Sequence, residues 1–81
     1  MRSLEELRKS SGLSQVELAE MLNVSDRTIY KYENDSTNIP NKLLDKYMKA
    51  FEIKYDDIFL GDKYDYYVLK QNELKRNLKV C

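Results

Sequence analysis

The sequence predicts a single all-α domain with a C-terminal extension. Its 81 residues suit one small domain, and 42% of them are apolar, which is enough for one core. Gly occurs twice and Pro once, so few residues interrupt regular structure. Over the first 60 positions, apolar residues recur at the spacing of short amphipathic helices, and serines stand where helix N-caps belong.

The first two predicted helices each begin at a serine. Ser3 is placed to cap a helix that ends at Gly12, because glycine readily adopts the left-handed conformation that closes a helix. Ser14 and Glu17 have the spacing of a capping box, in which each side chain bonds the backbone N–H of the other residue. The second helix is expected to end near Asn23, since asparagine tolerates a positive φ better than most residues.

A third helix is predicted to begin at Ser25 and to end in the polar segment 34–38, which has strong turn chemistry. Its buried face would consist of Ile29 and Tyr32. The second and third helices are thus short and joined by a tight turn, which is the arrangement of a helix-turn-helix over residues 14–34. Its crossing needs one small residue, one turn former and three apolar side chains, which here are Ala19, Asn23, Leu18, Leu22 and Ile29.

Two more helices are predicted before the motif-bearing region ends. Pro40 suits the first turn of a fourth helix. The apolar stripe of that helix has i, i+3, i+4, i+7 spacing and comprises Leu44, Tyr47, Met48 and Phe51. Residues 55–60 are predicted to form a short fifth helix, whose acidic start suits the helix dipole. Gly61 closes the unit.

The composition argues against an enzyme, a metalloprotein and a membrane protein. Histidine is absent and Cys81 is the one cysteine, so no histidine can activate a nucleophile, and no internal disulfide can form. We therefore expect no catalytic residue, no metal and no cofactor. No apolar segment approaches the ~20 residues of a bilayer-spanning helix. The N-terminus lacks a signal-peptide pattern, so a cytoplasmic protein is expected.

The formal net charge is zero, with 14 basic and 14 acidic residues, which argues mildly against nucleic acid as a partner. Residues 1–60 carry 9 basic and 11 acidic residues, whereas residues 61–81 carry 5 and 3. A DNA-binding protein with this composition must therefore cluster its cations on one face.

The segments GLSQVELAEMLNVS (12–25) and TIYKYEN (28–34) resemble the Cro and phage-repressor type of helix-turn-helix domain. Two later segments, 50–53 and 57–59, resemble its fourth and fifth helices, and the likeness covers about residues 3–60. Four residues occur together at the intervals that the family uses, which makes the resemblance specific: Gln15, Ala19, Ile29 and Glu33.

The resemblance implies a five-helix, lambda-repressor-like DNA-binding domain over residues 1–61 and a C-terminal extension over residues 62–81. Family members bind double-stranded operator DNA as dimers and place the second helix of the motif, here 25–34, in the major groove. Carried onto this chain, the base-reading positions are Asp26, Arg27, Tyr30 and Lys31. Arg27 can bind a guanine in bidentate fashion. Asp26 can accept from a cytosine, serve the N-terminus of its own helix or orient Arg27, and these alternatives stay open.

The resemblance also implies contacts to the DNA backbone and one structural ion pair. In the family, the equivalent of Gln15 binds a phosphate at the start of its helix. Further polar candidates would lie around the groove wall: Ser25, Thr28, Asn34, Thr37 and Asn38. The family pairs the position of Glu33 with a basic residue of the first helix, here Arg8, and we expect this pair to be partly buried. The chain departs from the family at Asn23 and Asp35, where glycine is usual or frequent. It also departs at Asp26, so analogy with the family does not give the operator sequence.

The extension is compatible with two local structures. As a helix, it has six residues at a coiled-coil spacing with one polar break: Tyr64, Tyr67, Gln71, Leu74, Leu78 and Cys81. As a strand, residues 64–69 are aromatic and β-branched enough to pair. We favour a helix for 72–79 and leave 63–70 undecided. The apolar surface of the extension is expected to cap the core or to join two protomers.

Together these features predict a sequence-specific transcriptional regulator without enzymatic activity, acting as a homodimer on a pseudo-palindromic operator. The resemblance points to a phage or mobile-element repressor that is controlled by its concentration or by a regulatory protein partner. The alternative is a protein-binding module of the same fold, antitoxin-like or anti-repressor, which the tyrosine-rich extension and the zero net charge support.

Overall fold

The computed structural model describes residues 1–78, and these residues form an all-α fold, as the sequence predicts. Its elements are α1 (Leu4–Ser10), α2 (Gln15–Leu22), α3 (Asp26–Asn34), α4 (Asn41–Phe51), a 3-10 turn (Tyr55–Asp57) and α5 (Lys63–Leu78). Extended pairing within the described chain is confined to two isolated bridges. None of the described helices is long and apolar enough to cross a membrane.

The three predicted serine caps are confirmed. The hydroxyls of Ser3, Ser14 and Ser25 each accept a hydrogen bond from the backbone N–H three residues later, at 3.1–3.2 Å. Glu17 completes a capping box by accepting from the backbone N–H of Ser14 at 3.0 Å. That bond and the Ser14 hydroxyl lower the pKa of the Glu17 carboxyl below its ordinary value. Each cap contributes about 1 kcal/mol to helix stability.

Three helices are followed by a residue in the left-handed region. Gly12 (φ +72°) and Asn23 (φ 57°) take this conformation where the sequence predicts it. Glu52 (φ 50°) does so at the end of α4, where no sequence signal indicates it. A residue with a Cβ carries a cost of roughly 1–2 kcal/mol in this conformation, and asparagine visits it more readily than glutamate.

The core lies where α2 crosses α3 and where α1 and α4 cover that crossing. Ala19, a small buried residue, lies in α2, which packs directly on α3. Leu44 and Tyr47 of α4 are buried, while Met48 and Phe51 are partly buried against the same cluster. The buried cluster comprises Leu4, Leu7, Leu18, Ala19, Leu22, Ile29, Leu43, Leu44, Tyr47 and Ile58.

The predicted fifth helix over residues 55–60 is wrong beyond its first turn. Only Tyr55–Asp57 is helical, and as a single 3-10 turn. Ile58 is then extended and forms a parallel bridge with Arg2. The N–H of Arg2 donates to Asp57 O and the N–H of Phe59 donates to Arg2 O, both at 2.9 Å. Pairing with the N-terminal segment therefore replaces the helical hydrogen bonds.

The exit of α3 is tied to the start of α5. Asp35, at the position where the family frequently has glycine, is extended (φ −152°) and bridges to Asp62. Next to it, Ser36 is buried and its N–H donates to Gly61 O at 3.1 Å, while the N–H of Gly61 donates to the Ser36 hydroxyl at 2.9 Å. The chain thus leaves the motif through a short extended pair that does not need a glycine.

The extension is helical over Lys63–Leu78, so the strand alternative for residues 64–69 is wrong and the undecided segment 63–70 is helical. The helix predicted for 72–79 is observed up to Leu78, and residue 79 and Cys81 lie outside the described residues. Tyr66 anchors α5 to the core, with its ring centroid 5.0 Å from that of Phe59.

Candidate nucleic-acid interface

One face of α3 is exposed along its whole length. All four predicted base-reading side chains, Asp26, Arg27, Tyr30 and Lys31, are exposed. They lie at the i, i+1, i+4, i+5 positions that share a helix face. The opposite face holds the buried Ile29 and Glu33. A helix of nine residues is about 13 Å long, and a B-DNA major groove is about 12 Å wide and admits one helix.

The cations of this face are free to bind a ligand. Among the side chains that the structure describes, no carboxylate lies within ion-pair distance of Arg27 or Lys31. The Lys31 ammonium lies 5.2 Å from the centroid of the Tyr32 ring, a cation–π contact that holds it beside the helix. Two unpaired cations one turn apart on an exposed helix favour an anionic partner.

Asp26 stands in the first turn of α3, where its negative charge favours the positive end of the helix dipole. Ser25 and not Asp26 makes the side-chain cap. Asp26 makes no ion pair with Arg27 among the described contacts. The three roles predicted for Asp26, at a cytosine, at its own helix N-terminus and beside Arg27, therefore stay predictions.

Several predicted backbone-contacting side chains already have partners within the chain. The Ser25 and Thr28 hydroxyls are 2.9 Å apart, and the Asn34 amide donates to the Tyr30 carbonyl at 3.1 Å. The Thr37 hydroxyl donates to Asp35 Oδ1 at 2.5 Å, and this bond lowers the pKa of the Asp35 carboxyl. The hydroxyl hydrogen of Thr37 is thus already used in a bond to the Asp35 carboxylate. Asn38 is exposed, and its side chain makes no hydrogen bond within the described residues 1–78.

Arg8, Glu33 and Gln15 form one polar network beneath this face. Arg8 Nε and Nη2 donate to the two carboxylate oxygens of Glu33 at 2.6 and 3.0 Å, and Arg8 Nη1 donates to Leu13 O at 2.9 Å. The two side chains are 11% and 3% exposed. The hydrogen bond to Glu33 raises the pKa of Arg8 above its ordinary value, against the opposing effect of burial. The pair is bidentate, which fixes geometry as well as charge.

The network also holds Gln15, whose bond to Glu33 the sequence did not predict. Gln15 Nε2 donates to Glu33 Oε1 at 3.1 Å. Its second amide hydrogen and its carbonyl oxygen are left for another partner. Gln15 is the first residue of α2, where free backbone N–H groups and the helix dipole favour an anion. Glu33 therefore positions the side chain of Gln15 at the N-terminus of α2, although the two residues are 18 positions apart in sequence.

Lys42 is a candidate that sequence reasoning missed. It is exposed in the first turn of α4, directly after the polar loop that contains Thr37 and Asn38. A cation is unfavourable at a helix N-terminus because of the dipole, and no acidic residue occupies that turn. The presence of a lysine at this electrostatically unfavourable position is the sequence signal that could have identified Lys42 as a candidate.

Comparison with known proteins agrees with this geometry. A family model described as helix-turn-helix matches residues 4–58. The chain belongs to the Cro/C1-type helix-turn-helix family. This helix-turn-helix chain is also 31% identical over 62 residues to a protein named antitoxin PezA, from Streptococcus pneumoniae serotype 4 (strain ATCC BAA-334 / TIGR4). The alignment covers 76% of this chain and 39% of that protein's length. The family is one of DNA-binding regulators.

Proposed function

We propose that this protein is a sequence-specific transcriptional repressor of phage or mobile-element type, which binds a pseudo-palindromic operator as a homodimer in the cytoplasm and blocks polymerase by occupancy. The observation that carries the proposal is the exposed face of α3, on which two cations without a carboxylate partner among the described side chains share one side of a short helix. Half-sites one helical turn apart, about 34 Å, match a two-fold dimer.

The base-reading roles follow from donor geometry. Arg27 presents a fork of N–H groups that matches the O6 and N7 acceptors of guanine, and Lys31 supplies a donor one turn along. Tyr30 is 61% exposed and offers an aromatic face to a thymine methyl or a sugar. Asp26 would accept from a cytosine amino group and would be repelled by a phosphate. A site that includes both signs of charge rejects wrong bases as well as holding the right ones.

Backbone contacts are assigned to groups around that helix. Gln15, at the start of α2, and Asn38, in the loop before α4, have polar groups available for phosphate oxygens. One of the Ser25 and Thr28 hydroxyls donates to the other, and the hydroxyl that accepts this bond can donate its own hydrogen to a phosphate. Asn34 and Thr37 would contact the backbone only after exchanging their present partners.

A net charge of zero has a consequence for affinity. Neutral donors bind phosphate without releasing as many counterions as lysine or arginine. The affinity of this protein for its operator should therefore fall less steeply with salt than that of a strongly basic repressor. Phosphate contacts by Lys42 and Lys31 would still release counterions, so the binding constant should still fall as the salt concentration rises.

The proposal is tested by selecting bound sequences from a random DNA pool and then comparing variants on the enriched duplex. Arg27→Ala should cost ~1–3 kcal/mol at one base pair and relax the preference there. Gln15→Ala should weaken binding to all sequences alike. Arg76→Ala removes the same charge from an exposed position on α5 and should leave the preference unchanged. No enrichment at low salt, or equal losses for both interface variants on every sequence, contradicts the proposal.

The second candidate is a protein-binding module of the same fold, antitoxin-like or anti-repressor. It is favoured by the relative that is named an antitoxin and by the exposed apolar residues of α5. A mobility shift with the DNA around the protein's own promoter separates the two candidates. A shift supports the regulator, and its absence at low salt supports a module that only binds protein.

A further inference from the structure

α5 has apolar side chains on two sides, and only one side is packed. Tyr66 is 3% exposed, its hydroxyl donates to Met1 O at 3.2 Å, and Leu69 and Lys70 on the same side are partly covered. The other side carries Tyr64, Tyr67, Val68 and Leu74, which are 70, 48, 54 and 59% exposed. We call these four residues together with Gln71 the outer stripe of α5.

Among the described residues, no other part of the chain covers the outer half of α5. Residues 71–76 are helical and every one of them is exposed. Two turns of helix without tertiary contacts are only marginally stable in water, because most helical stability in proteins comes from packing an apolar face. This half of α5 therefore needs a surface to pack on, and the outer stripe is the face that offers one.

We propose that the outer stripe is the seam of a homodimer, in which it packs against the outer stripe of a second copy of this chain. Tyr64, Tyr67, Gln71 and Leu74 follow the 3-4-3 spacing of a coiled-coil seam. Val68 lies beside this series, and Gln71 is its polar member. A side-chain amide donates and accepts at once, so two copies of Gln71 satisfy each other across a two-fold axis. An identical helix is thus a complementary partner.

The exposed area agrees with such a seam. Four large side chains that are 48–70% exposed present on the order of 400 Å² per chain, given about 150–250 Å² for an aromatic residue. Doubled over two copies and joined by the neighbouring polar atoms, this area approaches the roughly 1,000 Å² at the lower end of specific interfaces. We therefore expect two copies of the chain to associate with moderate affinity and to bind each other more tightly on DNA.

The inference rests on the proposed function, because a nine-residue recognition helix reaches only a few base pairs and two linked copies are needed for a pseudo-palindrome. The first experiment uses no DNA. Sedimentation equilibrium of the full chain should give a species of twice 9.7 kDa. Leu74→Asp should raise the dimer dissociation constant at least tenfold. Asn72→Asp, which adds the same charge to an exposed position beside the stripe, should leave that constant within about twofold.

A gain in affinity supplies the second test, because a misfolded variant cannot produce it. Gln71→Leu replaces the polar centre of the stripe by an apolar residue and should lower the dissociation constant about tenfold. A wild-type chain that stays at 9.7 kDa at every concentration overturns the seam, as does an unchanged constant in both Leu74→Asp and Gln71→Leu.

DNA then separates failure of the seam from failure of the proposed function. On a duplex with one half-site, Leu74→Asp should bind as the wild type does, and it should lose affinity only on a duplex with two half-sites, where linkage raises the effective concentration. Equal losses on both duplexes overturn the seam and leave the function standing. A dimer that enriches no sequence from the random pool overturns the function and leaves the seam standing.

Discussion

Neutralising Glu33 should destabilise the protein far more than neutralising a surface glutamate. Glu33→Gln keeps the size of the side chain but removes the charge that Arg8 faces at 2.6 Å in a site where the two side chains are 11% and 3% exposed. The amide also cannot accept bonds on both of its terminal atoms, so at least one of the present donors from Arg8 or Gln15 loses its acceptor.

The expected loss follows from what remains of the network. Removing one partner of a buried ion pair costs roughly 3–5 kcal/mol. Arg8 keeps its bond to Leu13 O and a narrow exposure to water, so the lower end of this range, about 3 kcal/mol, is expected. A domain of this size has a total stability on the order of 4–12 kcal/mol. Glu33→Gln should therefore remove a large part of it.

Urea unfolding followed by circular dichroism measures the effect. With a slope of about 1 kcal/mol/M for a small domain, the midpoint should fall by roughly 3 M. Glu5→Gln is the matched control, because Glu5 pairs with Lys9 at 2.7 Å in an i,i+4 surface pair, and surface pairs contribute little to stability. If the two variants shifted the midpoint equally, the ion pair would not hold α1 against α3 and the reasoning would be refuted.

Four further predictions concern single groups. Tyr47→Phe should raise stability by about 1 kcal/mol in urea unfolding, because it removes a buried hydroxyl without a partner in the described chain. Burial raises the pKa of Tyr47 and of Tyr66 above the ordinary 10.0, so the fold keeps both protons and alkaline titration should show stability falling once the pH exceeds 10.0. Glu52→Gly should gain roughly 1 kcal/mol by relieving a left-handed residue, and Asn23→Gly should gain less; equal gains would contradict this ranking. Because its capping bonds lower the pKa of Glu17, the stability that they give is present above pH 4.5 and is lost on acidification, and Glu17→Gln should flatten that part of the pH profile.

The sequence could predict most of the fold because its signals act over a few residues. A serine that caps a helix, such as Ser14, bonds a group three positions away. Asn23 closes α2 through its own backbone preference, and the side-chain spacing of α3 puts Arg27 outward and Ile29 inward. Each of these features depends on one helical turn, and the sequence alone determined them.

Tertiary structure decided what depends on segments far apart in the chain. Residues 57–59 pair with the N-terminal segment, so the chain does not continue as a helix beyond Asp57, and Gln15 joins the Arg8–Glu33 pair. By local preference, residues 63–70 could form either a strand or a helix. The contacts of Tyr66 with Phe59 and Met1 stabilise the helix. Local pattern fixes the direction in which a side chain leaves its own backbone, whereas the group that it meets depends on chain folded from elsewhere.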